Sequence, residues 1–352
     1  MAATEQTSEQ FADRLFGAAL GAVDILAVHL GDRLGWYRAL AEHGPADAVE
    51  LTARAGGDLR YAREWLEQQA ATGVLTVDGD GRFTLPAGPA EVLTDPSSLN
   101  YLAPLARMLA GAAVQLPGLI RAYREGGGVG WSEYGVDMRE SQSDMNRPWF
   151  EHRLAIDLAG VPDVHARLAG QDARVADVGS GGGWSSIALA RAYPELRVDG
   201  YDIDEPSVVM ARDNAADLGD RVRFHHGDAA TDLPEATFDA VFAFECLHDM
   251  PHPVEILTAM RKALRPGGVV IVMDEAVDAE FTAPAGDVDR LMDGFSLLIC
   301  LPDGMAHPGS AGTGTVLRTA KLTEYAERAG FAAVDVLPIE DFGFWRFYRL
   351  TV

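Results

Sequence analysis

The sequence predicts an α/β fold: an open, mostly parallel sheet with crossover helices, preceded by a smaller helical domain. Three observations carry this. From Arg174 onward short apolar runs alternate with helical segments, a glycine-rich loop joins the first of those runs to a helix, and the first 95 residues follow a helix, helix, hairpin outline. A length of 352 residues holds two domains, or one large domain with an appendage.

Taken in order, Phe11 to Leu40 places Phe11, Leu15, Phe16, Leu20, Val23, Leu26 and Leu30 at helical spacing, with Gly35 as a break. Two shorter helices follow over 46–55 and 59–72, separated by Gly56-Gly57, with Asp58 as the N-cap of the second. Val74–Val77, the turn Asp78-Gly-Asp-Gly81 and Arg82–Leu85 make a hairpin. This is the outline of a winged helix. A DNA reader needs a basic stripe, yet residues 1–95 hold fifteen acids against seven arginines, and Arg60 and Arg63 stand beside Glu64 and Glu67. Dimerisation or scaffolding of a substrate pocket fits better.

Charge extends that exclusion to the whole chain. Asp and Glu number 53 against 29 Lys and Arg, a net charge of −24, which repels phosphate backbones and anionic lipid. The N-terminus shows no basic-then-apolar leader, and the window Leu102–Ile120 is interrupted by Pro104, Arg107 and Pro117. Cys246 and Cys300 have neither disulfide nor metal spacing and read as buried thiols. A soluble, cytoplasmic protein that binds neither nucleic acid nor membrane is expected. Residues 96–170 read as a helical connector with a break at Glu125–Gly130, and residues 171–352 as the α/β domain.

Strands are predicted at 174–178, 197–202, 222–226, 239–244, 269–274, 333–337 and 344–351, with helices near 184–193, 206–216, 253–264 and 319–329. The first strand runs into Asp177-Val-Gly179-Ser180-Gly181-Gly-Gly183-Trp184 and then a helix. Glycines let backbone N–H groups approach a ligand, and the helix start favours negative charge. The dinucleotide fingerprint fails at its sixth position, which is Trp184, and no Gly-Lys-Ser/Thr follows for a phosphate loop. The second strand ends at Asp202, placed to accept from both ribose hydroxyls; the third ends at Gly227-Asp228-Ala229, where an acid meets an adenine amino group.

Together with Leu264-Arg-Pro-Gly-Gly268, these ordered motifs resemble those of class I S-adenosylmethionine-dependent methyltransferases over about residues 145–352. The resemblance implies a Rossmann-like seven-stranded sheet with a reversed last strand and S-adenosyl-L-methionine as cofactor. It implies that Gly179 to Gly183 pass the methionine end, Asp202 holds the ribose, and Asp228 with Ala229 brackets the adenine. Asp177, Ser180, Ile203 and Phe244 complete the implied cofactor set.

After the fourth strand comes Phe244-Glu-Cys-Leu-His-Asp-Met-Pro251, at the carboxyl edge where open α/β sheets bind ligands. His248 titrates near neutrality and is the candidate general base. Asp249, Glu245, Asp274 and Glu275 are the acids available to orient it; Asp249 and Glu275 are assigned with it to the catalytic set. Leu247–Pro251 is similar to a segment of dimeric small-molecule O-methyltransferases, in which the His is the base, an acid after strand five holds it, and an N-terminal winged-helix-like domain dimerises. Met250 stands where that family has Trp, and the Asp274-Glu275 pair leaves the acid undecided.

The expected partners are a small, apolar or aromatic acceptor and a second copy of the chain. The apolar stripe of Leu291, Met292, Phe295, Leu297 and Leu298 in the long connection 276–318 reads as core before pocket. Tyr101, Met108, Trp131, Tyr134, Trp149 and Phe150 suggest a further apolar surface. Two other readings stand. In metal-assisted C-methylation of an α-keto acid, His248 and Asp249 would join a third ligand such as His307. In a non-catalytic winged-helix regulator, the cofactor would be sensed without chemistry.

Overall fold

The computed structural model describes residues 6–352. The chain forms two compact units, Met1–Gly111 and Ala112–Val352, so the segment expected as a connector is divided between them.

The first unit opens with the helix Ser8–Arg33, begun by a capping box in which Thr7 and Gln10 satisfy each other's backbone N–H. Helices Trp36–His43, Ala48–Ala55 and Leu59–Ala71 follow, and Asp58 caps the last of them by accepting from Arg60 N at 2.8 Å. The hairpin is short: β1 (Thr76–Val77) pairs antiparallel with β2 (Phe83–Thr84). The core is aromatic, with the Trp65 ring edge-on to Trp36 and Tyr37 at centroid separations of 5.1 and 4.9 Å. Gly31 makes this possible, because a Cβ there would sit 2.3 Å from Trp65 Cζ2. Such pairs add about 0.5–1.5 kcal/mol each beyond buried area.

Ser8–Arg33 behaves differently from a core helix. Phe11, Leu15, Phe16, Leu20, Val23, Leu26 and Leu30 are all 44–66% exposed within the chain. Ser8–Arg33, rather than the window around Leu102–Ile120, is the single helix among the described residues that is long and apolar enough by itself to cross a membrane; its mean hydropathy reaches 1.5 over 18 residues.

The second unit is built on seven strands: β3 (Arg174–Val178), β4 (Arg197–Asp202), β5 (Val222–His226), β6 (Phe238–Phe244), β7 (Leu264–Glu275), β8 (Ala333–Val336) and β9 (Trp345–Thr351). Their order is β5-β4-β3-β6-β7-β9-β8. β3 to β7 are parallel and β9 runs against β7 and β8, the reversed strand that the motifs imply. β6 is apolar along nearly its whole length, and β3 at Val175, Ala176 and Val178, because both faces of the sheet are covered. The order in which strands are added reverses between β3 and β6, which opens a crevice beyond their carboxyl ends. β7 begins earlier than expected, since Leu264 pairs with Phe238 before a register shift brings Val269 opposite Ala240.

Candidate active site

The glycine loop leaves β3 and reaches that crevice. Gly179, Gly181 and Gly183 all take positive φ, so these turns admit no side chain without strain. A Cβ on Gly179 would meet Cys246 Sγ at 2.7 Å, so the loop lies directly against the turn after β6. Asp177 Oδ2 accepts from Ser185 and Ser186 hydroxyls, both at 2.6 Å, which ties the strand end to the start of the helix Trp184–Ala192. Burial pushes the Asp177 carboxyl up to about 6 against the pull of those two hydroxyls.

Asp202 ends β4 with both oxygens engaged: Oδ2 accepts from Gly181 N and Oδ1 from Asp204 N, each at 2.8 Å. It thus holds the glycine loop itself. Asp228 caps the short helix Ala229–Asp232, accepting from Ala230 N at 2.8 Å, and Ala229 is buried. Ile203 is exposed beside Asp202, whereas the Phe244 ring sits in an aromatic core with Phe150, Phe242 and Phe347. Three buried atoms around the loop, Asp177 Oδ1, Ser180 Oγ and Ser143 Oγ, have no hydrogen-bond partner among the described residues. Orphaned polar atoms beside a side-chain-free cradle fit a polar cofactor such as S-adenosylmethionine.

Part of this cradle comes from a helix that the motifs do not mark. Along Trp131–Trp149, Arg139 pairs with Asp204 at 2.6 Å, a Cβ on Gly182 would meet Ser143 Oγ, and Asn146 Nδ2 donates to Glu245. Arg147 lies 4.0 Å from the centroid of the Trp184 ring. The available signal was a polar row, Arg139, Ser143, Asn146 and Arg147, at three- and four-residue spacing.

His248 is 3% exposed in the turn after β6. Its Nδ1 stands 2.9 Å from Asp274 Oδ1 and 3.2 Å from Glu275 Oε2, while Nε2 lies 3.3 Å from Asp249 Oδ1. Burial alone would lower the imidazole pKa, but the carboxylates of Asp249, Asp274 and Glu275 outweigh it and raise it well above 6.5. Burial lifts Glu275 to about 8, with His248 pulling down and Asp274 pushing up. Glu245, whose backbone is left-handed at φ 53°, is likewise lifted to about 8 by burial and by the Glu275 charge. The sequence-assigned trio therefore meets, joined by Asp274, the residue with hydrogen-bonding geometry to Nδ1.

Two groups among the described residues bring three metal-ligating atoms within 4.8 Å, His248-Asp249-Cys300 and His248-Asp274-Glu275. His307 is in neither. Cys300 is the buried free thiol that the sequence suggests, and its Sγ stands beside His248 and Asp249. Of the apolar residues expected at a pocket surface, Tyr101, Met108, Tyr134 and Phe150 are buried in the core, and Trp149 packs on Phe342 and Trp345.

A seven-stranded sheet with a glycine cradle at its switch point defines a domain for a nucleoside-bearing cofactor, and comparison with known proteins narrows the class. Residues 175–268 match a methyltransferase domain, and residues 21–95 match a Rv2258c-like winged HTH domain. The N,N-dimethyltransferase OxyT of Streptomyces rimosus is 30% identical over 285 residues, covering 76% of this chain and 79% of the relative. The 27-O-demethylrifamycin SV methyltransferase of Amycolatopsis mediterranei (strain S699) is 34% identical over 169 residues, covering 46% of this chain and 59% of that enzyme's length. Among solved structures, mitomycin 7-O-methyltransferase MmcR superposes with a TM-score of 0.70 at 23% identity over 97% of both chains. PigF with SAH gives 0.72 at 20% identity over 99% of this chain and 100% of that one. The chain belongs to the class I S-adenosylmethionine-dependent methyltransferases that carry an N-terminal winged-helix domain.

Proposed function

We propose that this enzyme methylates a hydroxyl of a small molecule, with His248 as general base. The observation that carries this is the buried His248–Asp274 hydrogen bond of 2.9 Å at the carboxyl edge of the sheet, in the turn whose Cys246 meets the glycine loop. S-adenosylmethionine supplies an activated methyl group, so the chain's task is alignment and proton removal. Gly179 to Gly183, Ser180 and Asp177 would hold the methionine end, Asp202 the ribose, and Asp228 with Ala229 the adenine. Asp274 accepts from Nδ1, which fixes the tautomer and makes Nε2, 3.3 Å from Asp249 Oδ1, the nitrogen that would take the acceptor's proton; the hydrogen bond is the reason for assigning Asp274 the orienting role, with Glu275 behind it. In the ligand-free chain the three carboxylates hold the imidazole as a cation, so activity should rise as pH climbs above neutrality.

The 1–95 domain is read as the dimerisation module, because the apolar face of Ser8–Arg33 needs a cover and a second copy supplies an identical helix. The expected test is methyl transfer from labelled S-adenosylmethionine to a small hydroxyl acceptor. The transfer should vanish in His248→Ala while calorimetry shows cofactor binding unchanged. Full activity in that variant would overturn the base assignment.

A further inference from the structure

Five carboxyl groups surround the turn after β6: Glu245, Asp249, Asp274, Glu275 and Asp303. Among the described residues, the only cation paired with any of them is His248. Its two ring nitrogens cannot serve them all. Nδ1 has one proton, and Asp274 accepts it, so Glu275 Oε2 at 3.2 Å is left without a hydrogen bond; Asp274 Oδ2 is unpartnered as well, and Asp249 Oδ1 has only the long 3.3 Å approach of Nε2. A separate observation points the same way. Asn146 is 8% exposed, spends its Nδ2 on Glu245, and leaves Oδ1 of the same amide buried and unpartnered. The orphan atoms on the carboxyl groups and on Asn146 are oxygens that accept, against a single neighbouring donor, the Trp345 indole Nε1 beside Glu245. What completes it must bring donors and positive charge.

We infer that the acceptor of this enzyme carries a protonated amine, held by Glu245 and the carbonyl of Asn146, alongside the group that is methylated. The inference rests on the small-molecule reading above and adds the acceptor's charge class. Glu245 is placed for this duty. It follows β6 directly, at the switch point, where the next residue, Cys246, touches the glycine loop. It remains partly exposed, while Asp274 and Glu275 behind it are sealed. An ammonium entering there satisfies Glu245 and Asn146 Oδ1 together and relieves the crowding among carboxylates that burial and Glu275 impose on Glu245. A neutral phenol or alcohol brings one O–H donor and no charge, so it satisfies at most one of those acceptors.

The test uses the full chain saturated with S-adenosylhomocysteine, whose own binding is measured first and reports separately on the methyltransferase reading. Two probes of equal size, 2-phenylethylammonium and 2-phenylethanol, are then titrated by calorimetry. The expected result is at least about a tenfold preference for the ammonium, the scale of one charge-assisted contact. Glu245→Gln, which keeps volume and backbone conformation, should abolish the preference without changing S-adenosylhomocysteine affinity. Equal affinity for the two probes, no binding of either, or a preference retained in Glu245→Gln overturns the inference. So does stoichiometric cobalt(II) binding that displaces the ammonium, which would assign the acids to a metal. The selectivity of the wild-type chain is decisive even if the variant folds poorly.

Discussion

Asp274→Asn isolates the orienting role, because the amide keeps the shape and removes the charge. The contact it alters is a 2.9 Å hydrogen bond between groups that are 3% and 0% exposed. A charge-assisted hydrogen bond contributes about 1.5–3 kcal/mol, and breaking a buried pair outright costs about 3–5 kcal/mol. Glu275 Oε2, at 3.2 Å from the same nitrogen, stays available as a substitute, so the lower range of about 2 kcal/mol applies. The sign follows from linkage. His248 has its pKa raised on folding, so the stabilisation is full below 6.5, its ordinary value, and fades as pH rises through the raised folded value. Denaturant unfolding should therefore show the variant's deficit largest near pH 6 and smaller near pH 10. In turnover, loss of correct imidazole orientation should lower kcat by about ten- to hundredfold, at roughly 1.4 kcal/mol per decade. With one carboxylate gone the imidazole loses its proton more readily, so the rise of kcat with pH should shift to lower pH. Wild-type kcat with an unshifted profile refutes the reasoning; if Glu275→Gln instead shows both effects, Glu275 is the orienting acid.

Three further outcomes follow from the geometry. Gly183→Ala places a Cβ 2.5 Å from Phe224 Cζ at φ 80°, and should cost stability and weaken S-adenosylmethionine binding by more than tenfold in calorimetry. The raised carboxyls Glu245 and Glu275, at about 8, and Asp303, at about 7, bind protons more tightly folded than unfolded. Their contribution is complete below about pH 4.5 and lost as pH passes 7 to 8, so Tm measured by calorimetry should fall by several degrees between pH 5 and pH 8.5. Leu20→Glu with Val23→Glu on the exposed face of Ser8–Arg33 should convert a dimer to monomer in light scattering, and a monomeric wild-type chain would refute the dimer proposal.

Much of the fold was legible because it is written in local patterns. β3, β4 and β5 lie where the sequence places them: each carries short apolar residues such as Val175-Ala176, Val198 and Val222 beside turn-forming ends, although charged residues interrupt all three. The glycine loop was legible for a similar reason: left-handed φ at Gly179, Gly181 and Gly183 demands the residue type that spells the motif. Glu245 was not. Its left-handed backbone is carried by a residue that gives no sequence signal for it, and its role depends on Asn146, nearly a hundred positions away. The polar row on Trp131–Trp149 lies in a segment that the sequence marks only as a helical connector, and its meeting with the loop is tertiary.

The choice between Asp274 and Glu275 shows where sequence reasoning stops. Successive residues in a strand point to opposite faces, so Asp274 shares a face with Val270 and Val272, and Glu275 with Ile271 and Met273. Val270 and Val272 pack in the same core cluster as Leu247, the neighbour of His248, whereas Ile271 and Met273 belong to the cluster on the other side of the sheet. Alternation alone thus divides the pair correctly, but it selects Asp274 only once the face occupied by Leu247 is known. That information is tertiary. At the strand end the alternation also loosens, and Glu275 bends back to within reach of the same nitrogen. The consequence is a base with one hydrogen-bonded carboxylate and a second in reserve, which is why removing either acid should be milder than removing His248.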